Sequence, residues 1–361
     1  MTLRSAPSFY SVRRQPLWKL VAKCLLALLF GLPLALWGAG ALWFRLSDSP
    51  GLRLVLLVLW CAAIFLPLIW AWRHQSWLSL ALCWLVSFVC ILLWWSQIKP
   101  SDDRQWAADV AKHVQVTAVQ EPGQRVQLSN VRNFLWRSET DFDARWEPRS
   151  YDLAQLQRVD VALSYWMGPA IAHTLVSFGF ADGQHLVYSI EIRKEQGEQF
   201  DALAGFFKQY EMTLIAADER DILAVRTNAR GETVHLYQVQ MPQQAMRELF
   251  MAYARQAGEL IEEPRFYNTL TANCTTIVWE LARSIGAKLP LDWRMLASGY
   301  LPDYLHSFGV LVPGYTAAQL EQAGNITERA KAWQAPAGSN ETEASADFSR
   351  AIRMGMPALV P

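Results

Sequence analysis

The chain has 361 residues and equal numbers of basic and acidic side chains, 33 of each, so its net charge at pH 7 is zero. Its length suits one or two packed domains, and a hydrophobic content of 52% with 18% charged residues excludes a disordered protein. Residues 1–100 hold nine Lys or Arg and a single acid, Asp48. The other 261 residues therefore have eight more acids than basic residues, a balance that argues against a nucleic-acid partner.

Three uncharged stretches near the N-terminus are long enough to cross a membrane. They cover residues 24–44, 54–72 and 77–98, and about 20 apolar residues span a hydrocarbon core of roughly 30 Å. Ten of the 17 Trp residues precede residue 96, and several lie near the ends of these stretches, as interfacial anchors do. We predict three transmembrane helices within residues 1–98. The small residues at 38–41 also fit a signal-peptide cleavage region, but two further spans would still hold the protein in the membrane.

The segment before the first span predicts the orientation. It contains basic residues and no acid, and the positive-inside rule places such a segment in the cytoplasm. These residues are Arg4, Arg13, Arg14, Lys19 and Lys23. Arg45 and Arg53 fall on the outer side of this arrangement and oppose it, but they are fewer and Asp48 lies between them. We expect a bacterial inner-membrane protein whose N-terminus is cytoplasmic and whose part after residue 98 is periplasmic.

The exported part predicts an α+β domain with a mainly antiparallel sheet. Helices are expected over 105–115, 200–210 and 243–262 and from about Cys274 onward. Strands are expected over 126–136, 159–166, 171–180, 185–193, 212–216, 222–227 and 233–240. The runs 171–180 and 185–193 flank turn residues and predict a hairpin. Residues 99–124 are interpreted as a connecting segment, 125–333 as the domain and 334–361 as a flexible tail, because residues 334–346 are small and polar.

One cysteine is set apart from the others by its position. Four lie within the predicted spans: Cys24, Cys61, Cys83 and Cys90. Cys274 lies in the exported domain without a disulfide partner, so it is either buried and inert or kept reduced for chemistry. Polar residues precede it and periodic apolar residues follow it, which predicts that Cys274 lies in the first turn of a helix. A helix N-terminus stabilises a thiolate and lowers the thiol pKa.

The residues beside Cys274 are candidates for the cap and for an oxyanion site. Asn273 or Thr271 would cap the helix. The N–H groups of the first turn, including that of Thr275, would receive the oxyanion of a tetrahedral intermediate. The alternative is a capped helix whose Cys274 is only a packing residue.

A catalytic thiol needs a base, and His173 is the preferred candidate. A three-residue hairpin turn would place Glu191 opposite His173, where a carboxylate would orient the imidazole. The pattern is equally consistent with Glu191 being an ordinary polar residue, without a catalytic role, on the open face of a sheet. His185 begins the second hairpin strand and is a weaker candidate. The other histidines are expected to be surface or packing residues: His74, His113, His235 and His306.

Several motifs of this domain resemble those of one family. They are VRNFLWRSETDFDARW, SYWMGPAIAHTLVSFGF, YSIEIRKE, AADERD, YNTLTANCTT and LPLDWRMLASGYLPDYL. They resemble the Lnb N-terminal periplasmic domain family over roughly residues 125–310. The resemblance implies a circularly permuted papain-like (NlpC/P60-like) fold in which the His-bearing strand precedes the Cys-bearing helix, as His173 precedes Cys274. The namesake of the family is a lipoprotein N-acyltransferase, so the resemblance implies acyl transfer from a membrane phospholipid, through a thioester on Cys274, to a lipoprotein amino group.

Three functions remain open on the sequence. The first is a membrane-anchored, Cys-dependent acyltransferase whose partners are phospholipid and lipoproteins. The second is a papain-like amidase or endopeptidase that cleaves cell-wall peptides and resolves the thioester with water. The third is a non-enzymatic membrane scaffold or sensor. Metal-binding and nucleotide-binding motifs do not occur in the sequence, so we expect neither a metal nor a cofactor.

Overall fold

The computed structural model describes residues 17–46, 49–74, 76–120 and 125–359. The leading basic residues Arg4, Arg13 and Arg14 and the acid Asp48 lie outside these ranges, as do the last two residues of the expected tail. The chain divides into two compact units, Met1–Lys99 and Pro100–Pro361, and each is described by itself.

The first unit contains three helices that are long and apolar enough to cross a membrane, as predicted. The candidate spans are Val21–Arg45, Pro50–His74 and Trp77–Gln97. Helices α1 (Leu17–Leu26) and α2 (Leu32–Arg45) are joined by a π-helical turn at Ala27–Gly31 and form the first span, and α3 (Pro50–His74) and α4 (Trp77–Gln97) form the other two.

Tryptophan side chains form hydrogen bonds between these helices, with backbone carbonyls as acceptors. The indole of Trp60 in α3 donates to the carbonyl of Ala35 in α2 at 3.1 Å, and that of Trp84 in α4 donates to the carbonyl of Ile64 in α3 at 3.0 Å. A Cβ at Gly38 would collide with the Trp60 ring, so only glycine allows this approach. Small residues at a helix interface serve close packing of this kind in membranes.

The second unit is built on an eight-stranded sheet with the order β1-β2-β9-β8-β7-β6-β10, in which β5 also pairs with β2. Its strands are β1 (Gln115–Gln120), β2 (Arg125–Arg132), β5 (Trp146–Asp152), β6 (Leu156–Tyr165), β7 (Ala172–Phe180), β8 (His185–Arg193), β9 (Glu211–Asp218) and β10 (Thr233–Gln238), and β3 (Leu135–Trp136) and β4 (Phe142–Asp143) form a separate pair. Every neighbouring pair is antiparallel except β2 with β9. The predicted α+β domain with a mainly antiparallel sheet is confirmed.

Helices cover both faces of this sheet. They are α5 (Glu219–Ala224), α6 (Gln243–Glu262), α7 (Cys274–Ser284), α8 (Leu301–Ser307), α9 (Ala317–Gly324), α10 (Thr327–Ala332) and α11 (Glu341–Ile352). Phe250 of α6 packs edge-to-face on Phe178 of β7, with ring centroids 5.3 Å apart. Phe348 of α11 belongs to the cluster that buries Leu175, the other side of the same strand. All nine residues of β7 are buried, so this strand appears in the sequence as a continuous apolar run.

The hairpin and the long helix are confirmed. Strands β7 and β8 pair from Leu175 with Ser189 to Gly179 with His185, and the N–H of Phe180 donates to the carbonyl of Gln184 at 2.9 Å, which is the predicted register. Helix α6 has the predicted bounds, because apolar residues recur along it at helical spacing and most of them are buried.

Three predicted elements are wrong. The expected helix 105–115 contains only a 3-10 turn at Ala108–Val110, and the expected helix 200–210 contains only one at Ala204–Phe206. The expected strand 222–227 is helical, because α5 continues into a π-helical turn at Val225–Ala229. The side chain of Asp218 starts this helix by accepting the N–H of Arg220 at 2.9 Å.

The expectation of a flexible tail from residue 334 is also wrong. Asn340 and Glu343 form a capping box that starts α11, and Phe348 and Ile352 of this helix are completely buried. Arg353, which follows the helix, forms ion pairs with two buried carboxylates, Asp160 at 2.8 Å and Glu219 at 2.6 Å. The C-terminal segment is therefore an integral part of the domain.

Candidate functional site

Cys274 is the first residue of α7, as predicted, because Asn273 caps the helix. The Asn273 Oδ1 accepts the backbone N–H groups of Thr275 and Thr276, both at 2.9 Å. In return, the Thr276 Oγ1 accepts the N–H of Asn273 at 2.8 Å. This capping box fixes the start of the helix and the position of the sulfur. Thr271, the alternative cap, donates instead to the Asn268 side chain.

The sulfur of Cys274 is enclosed between α7 and β7, and the residue is 7% exposed. It forms a hydrogen bond with the imidazole of His173 and accepts one from the backbone N–H of Thr174. The Thr275 Oγ1 lies 3.9 Å from the sulfur. The hydrogen-bonded pairs of β7 and β8 stop at Leu175, so the N–H of Thr174 is available to the sulfur. The structure thus brings together the two residues that the sequence analysis selected, Cys274 and His173.

His173 is oriented by residues of β8. Its Nε2 lies 2.7 Å from the Ser189 Oγ and 3.2 Å from the Glu191 Oε1, and the Ser189 hydroxyl donates to the same Glu191 oxygen at 2.7 Å. Because the Ser189 hydroxyl uses its hydrogen in the bond to Glu191, the Ser189 oxygen accepts a hydrogen bond from the Nε2–H of His173. Nδ1 then remains for the hydrogen bond with the Cys274 sulfur. Glu191 stands beside the imidazole as the hairpin register predicts, while Ser189 was missed because a serine in a strand carries no distinctive signal.

A buried arginine completes the charged network. The Nη2 of Arg226 lies 2.8 Å from the Glu191 Oε1, and its Nη1 lies 3.3 Å from a carboxylate oxygen of Glu232. Arg226 is 4% exposed and comes from the π-helical turn after α5. Arg226 was not predicted as a site residue, because residues 222–227 were expected to form a strand.

These contacts favour an ion pair between thiolate and imidazolium. Burial by itself lowers the pKa of His173, but the Glu191 carboxylate and the Cys274 sulfur together outweigh burial and raise the pKa to about 9. Burial by itself raises the pKa of Cys274, but the His173 charge and the hydrogen bonds to the sulfur lower it below its ordinary value. Burial likewise opposes the charge of Glu191, yet His173 and Arg226 hold the pKa of its carboxyl well below the ordinary range.

Tyr267 is a further residue of the site that the sequence analysis missed. Its hydroxyl interacts with both the backbone N–H and the sulfur of Cys274. Burial and the nearby sulfur raise the pKa of Tyr267 well above its ordinary value, so the phenol stays protonated and can donate a hydrogen bond. A tyrosine in a loop before the helix gave no pattern from which this contact was predictable.

The expected oxyanion role of Thr275 needs correction. Its N–H already donates to the Asn273 Oδ1 and is not directed at a reacting group. Asn273 is likewise a helix cap, since its Oδ1 accepts two N–H groups and its Nδ2 donates to the carbonyl of Thr269 at 2.9 Å. The Cys274 N–H and the Tyr267 hydroxyl, which interact with each other beside the sulfur, are the candidate oxyanion donors.

Cys274 and His173 line a cavity of about 380 Å³. Apolar and aromatic side chains form much of its wall: Trp166, Met167, Ile171, Phe200, Met295 and Leu296. Lys194 and Arg230 also line it. The guanidinium of Arg230 approaches its acidic neighbours only at 3.9 and 4.0 Å, beyond hydrogen-bond distance. Acidic residues line the cavity too, among them Asp109, which pairs with Lys194 at 3.2 Å. The cavity therefore combines an apolar wall with charged groups of both signs.

The other histidines contact different parts of the domain. His185 binds the carbonyl of Gly183, His113 binds the carboxylate of Asp102, and His235 binds the carbonyl of Glu321. None of these three lines the Cys274 cavity in the described part of the chain. The described residues also contain no group of three or more His, Cys, Asp or Glu side chains that could hold a metal ion.

Residues 142–299 match the model of the Lnb N-terminal periplasmic domain family. The resemblance seen in the motifs is confirmed over this range, and both His173 and Cys274 lie inside it. Together with the three candidate membrane spans, the match describes a membrane-anchored protein with a periplasmic domain. No curated protein sequence and no solved structure matches the chain at a significant level.

Proposed function

We propose that the periplasmic domain is a Cys-dependent acyltransferase that takes an acyl chain from a phospholipid and passes it to an amino group, as on a lipoprotein. The observation that carries the proposal is the buried Cys274–His173 pair at a capped helix start inside a cavity with an apolar wall. A thiolate stabilised by an imidazolium and a helix N-terminus is the reactive form of cysteine. A purely structural cysteine needs neither the ion pair nor the cavity.

The first half of the reaction forms a thioester. The Cys274 thiolate attacks the ester carbonyl carbon, and the negative charge moves to the carbonyl oxygen, which the Cys274 N–H and the Tyr267 hydroxyl would receive. The intermediate collapses when the bond between carbon and alcohol oxygen breaks. The imidazolium of His173 gives its proton to that oxygen, so a lysophospholipid leaves and neutral His173 remains.

The second half of the reaction releases the acyl group. A neutral amine attacks the thioester carbonyl, and His173 takes the proton that the nitrogen loses. The bond between carbon and sulfur breaks, an amide forms and the thiolate–imidazolium pair is restored. Ser189 and Glu191 keep Nε2 engaged throughout, so Nδ1 stays directed at the reacting atoms.

The lining of the cavity supports a phospholipid as donor. The apolar wall suits an acyl chain, and Arg230, whose acidic neighbours lie at 3.9 and 4.0 Å, is a cation that would contact a phosphate. A peptide amidase would use the same Cys274 and His173 and would differ only in letting water attack the thioester. We also propose that the domain is a circularly permuted papain-like fold, which the packing of the Cys-bearing α7 against the His-bearing β7, earlier in the chain, supports.

We further propose that the N-terminus is cytoplasmic and that residues after 98 are periplasmic. The basic residues before the first span support this orientation. An alkaline phosphatase fusion after residue 120 is expected to be active and a green fluorescent protein fusion at the same place to be dark. The opposite pattern would reverse the orientation.

The enzymatic proposal is tested by the mass of the peptide that contains Cys274. Full-length protein in detergent is incubated with a phospholipid that carries a labelled acyl chain, and then with a peptide that has a free α-amino group. We expect a labelled thioester on Cys274 that neutral hydroxylamine removes, followed by a labelled amide on the peptide.

Matched variants separate the proposed roles. Cys274→Ala and His173→Ala are expected to abolish labelling, whereas Cys90→Ala within α4 and His306→Ala at the end of α8 are expected to leave it unchanged. Cleavage of cell-wall peptides without any acyl thioester would identify an amidase. Absence of both reactions in the unaltered protein would favour a scaffold.

A further inference from the structure

A second cavity, of about 550 Å³, lies beside the end of β6 and has a different chemical character. Aromatic side chains line it: Tyr165, Trp166, His235, Tyr237 and Tyr300. Two carboxylates, Asp303 of α8 and Glu321 of α9, also line it. Among the described residues, neither carboxylate has an ion-pair partner within 4.0 Å, and no Lys or Arg belongs to the lining. The nearby Arg294 is paired with Asp292 at 2.8 Å.

A buried polar group in this cavity has unused hydrogen-bonding capacity. Tyr237 is 3% exposed, and within the described ranges its hydroxyl has no hydrogen-bond partner. The neighbouring Tyr165 hydroxyl, in contrast, donates to the carbonyl of Gly299 at 2.8 Å. Tyr237 lines the cavity, so its hydroxyl is available for a hydrogen bond to a ligand atom there.

His235 does not oppose a positive ligand. It is 8% exposed, and its Nδ1 lies 3.0 Å from the carbonyl of Glu321, to which it donates. Nε2 of the neutral ring then carries a lone pair and accepts a hydrogen bond. Burial lowers the pKa of His235, so the ring is neutral at pH 7.

The geometry points to a binding site for an alkylammonium group in this second cavity. Aromatic faces attract organic cations, and two carboxylates without partners supply the opposite charge. A phosphate or carboxylate ligand is disfavoured because the lining has acids and no basic counterpart. A bare divalent cation prefers a shell of oxygen ligands and gains little from aromatic rings.

The second cavity adjoins the first. Trp166 lines both cavities, and Ser298 of the first is followed directly by Gly299 of the second. The ammonium group therefore belongs to a molecule that would reach Cys274, an inference that rests on the proposed function. Two sources share this chemistry: the protonated α-amine of an acceptor peptide and the ethanolamine headgroup of a donor phospholipid.

Binding is measured by calorimetry on full-length Cys274→Ala protein in detergent, so that no turnover occurs. The first pair of probes is a short peptide with a free α-amine and its N-acetylated twin. The second pair is dihexanoyl phosphatidylethanolamine and dihexanoyl phosphatidylglycerol. In one of the two pairs, we expect the probe that carries the ammonium group to bind at least about fivefold more tightly than the probe that lacks it. A preference in the peptide pair identifies the acceptor amine as the ligand, and a preference in the lipid pair identifies the ethanolamine headgroup.

Variants connect the preference to the cavity. Replacing both acids, Glu321→Gln with Asp303→Asn, is expected to remove the preference, and Tyr237→Phe is expected to weaken ammonium binding about threefold without any change of charge. Glu328→Gln removes an exposed carboxylate of α10 and is expected to change nothing. Equal binding of the twins in both pairs, or a preference that survives the double replacement, would overturn the inference.

The outcome is independent of the thioester assay. A protein that forms the Cys274 thioester but shows no ammonium preference would refute the second site alone. A protein that binds the ammonium probe but forms no thioester would refute the acyltransferase proposal and leave the second site standing.

Discussion

Replacement of Glu191 by glutamine tests whether the Glu191 charge keeps the imidazole of His173 protonated. Glu191→Gln keeps the shape of the side chain and removes its negative charge. Burial lowers the pKa of His173, and attraction to Glu191 is the largest of the opposing effects that raise this pKa to about 9. In the variant, burial and the positive charge of Arg226 still lower the pKa of His173, and they are larger effects than the Cys274 sulfur that still raises it. We expect this pKa to fall to the ordinary value of 6.5 or below.

The size of the effect follows from this difference. A fall from about 9 to 6.5 weakens the stabilisation of the imidazolium by about 3 kcal/mol, at 1.36 kcal/mol for each pH unit. His173 would then be neutral at pH 7, and Cys274 would lose the charge that lowers its pKa while burial continues to raise it. A thiol of pKa about 9 is only about 1% ionised at pH 7, so its alkylation slows by up to about 100-fold, less a partial gain in intrinsic nucleophilicity.

The assay is the rate of iodoacetamide alkylation of the Cys274 peptide, followed by mass spectrometry between about pH 5 and pH 10. The unaltered protein is expected to show a midpoint below the ordinary thiol value of 9.0, and Glu191→Gln a midpoint above it. Glu280→Gln removes an exposed carboxylate from the same helix and serves as the control. If Glu191→Gln and Glu280→Gln share the midpoint of the unaltered protein, Glu191 does not maintain the ion pair.

Two other residues give predictions of different kinds. Tyr267→Phe is expected to slow thioester formation about 10- to 100-fold, because an oxyanion donor is lost, while the folded protein keeps its melting temperature within a few degrees. Arg353→Ala is expected to destabilise the periplasmic unit by about 3–5 kcal/mol at pH 7 in denaturant unfolding, since buried Glu219 loses its arginine and buried Asp160 is left with Arg158. Burial opposes their charge, but Arg353 holds the pKa values of Asp160 and Glu219 below their ordinary values, so this stabilisation is present at pH 7 and fades in acid as they protonate.

Controls exist for both variants. Tyr315→Phe alters an exposed tyrosine and should leave thioester formation unchanged. Arg350→Ala, one turn earlier in α11, removes an exposed arginine and should cost less than about 0.5 kcal/mol. Tyr267→Phe with unaltered kinetics would exclude the tyrosine from the oxyanion site. Arg353→Ala as stable as Arg350→Ala would show that the C-terminal segment contributes little to the fold.

Local sequence patterns determine several features of this protein. The uncharged stretches predict the three candidate spans because their length and hydropathy suffice by themselves. The periodic apolar residues of α6 give its bounds, and the hairpin turn gives the register that sets Glu191 beside His173. Polar residues precede Cys274 and periodic apolar residues follow it, and this change predicts that a helix starts at Cys274. Each of these features depends on neighbours within a few residues or across one tight turn.

Tertiary structure alone decided the rest of the site and the role of the C-terminus. Arg226 binds Glu191, which is 35 residues away in the sequence, and Arg353 binds Asp160, which is 193 residues away. Tyr267 reaches Cys274 from a loop. A charged side chain becomes buried only when a remote partner offsets its desolvation, and no local pattern records which partner that is. The polar residues before α11 likewise suggested a free tail, because Phe348 and Ile352 gain their stability from a sheet face that exists only in the folded domain.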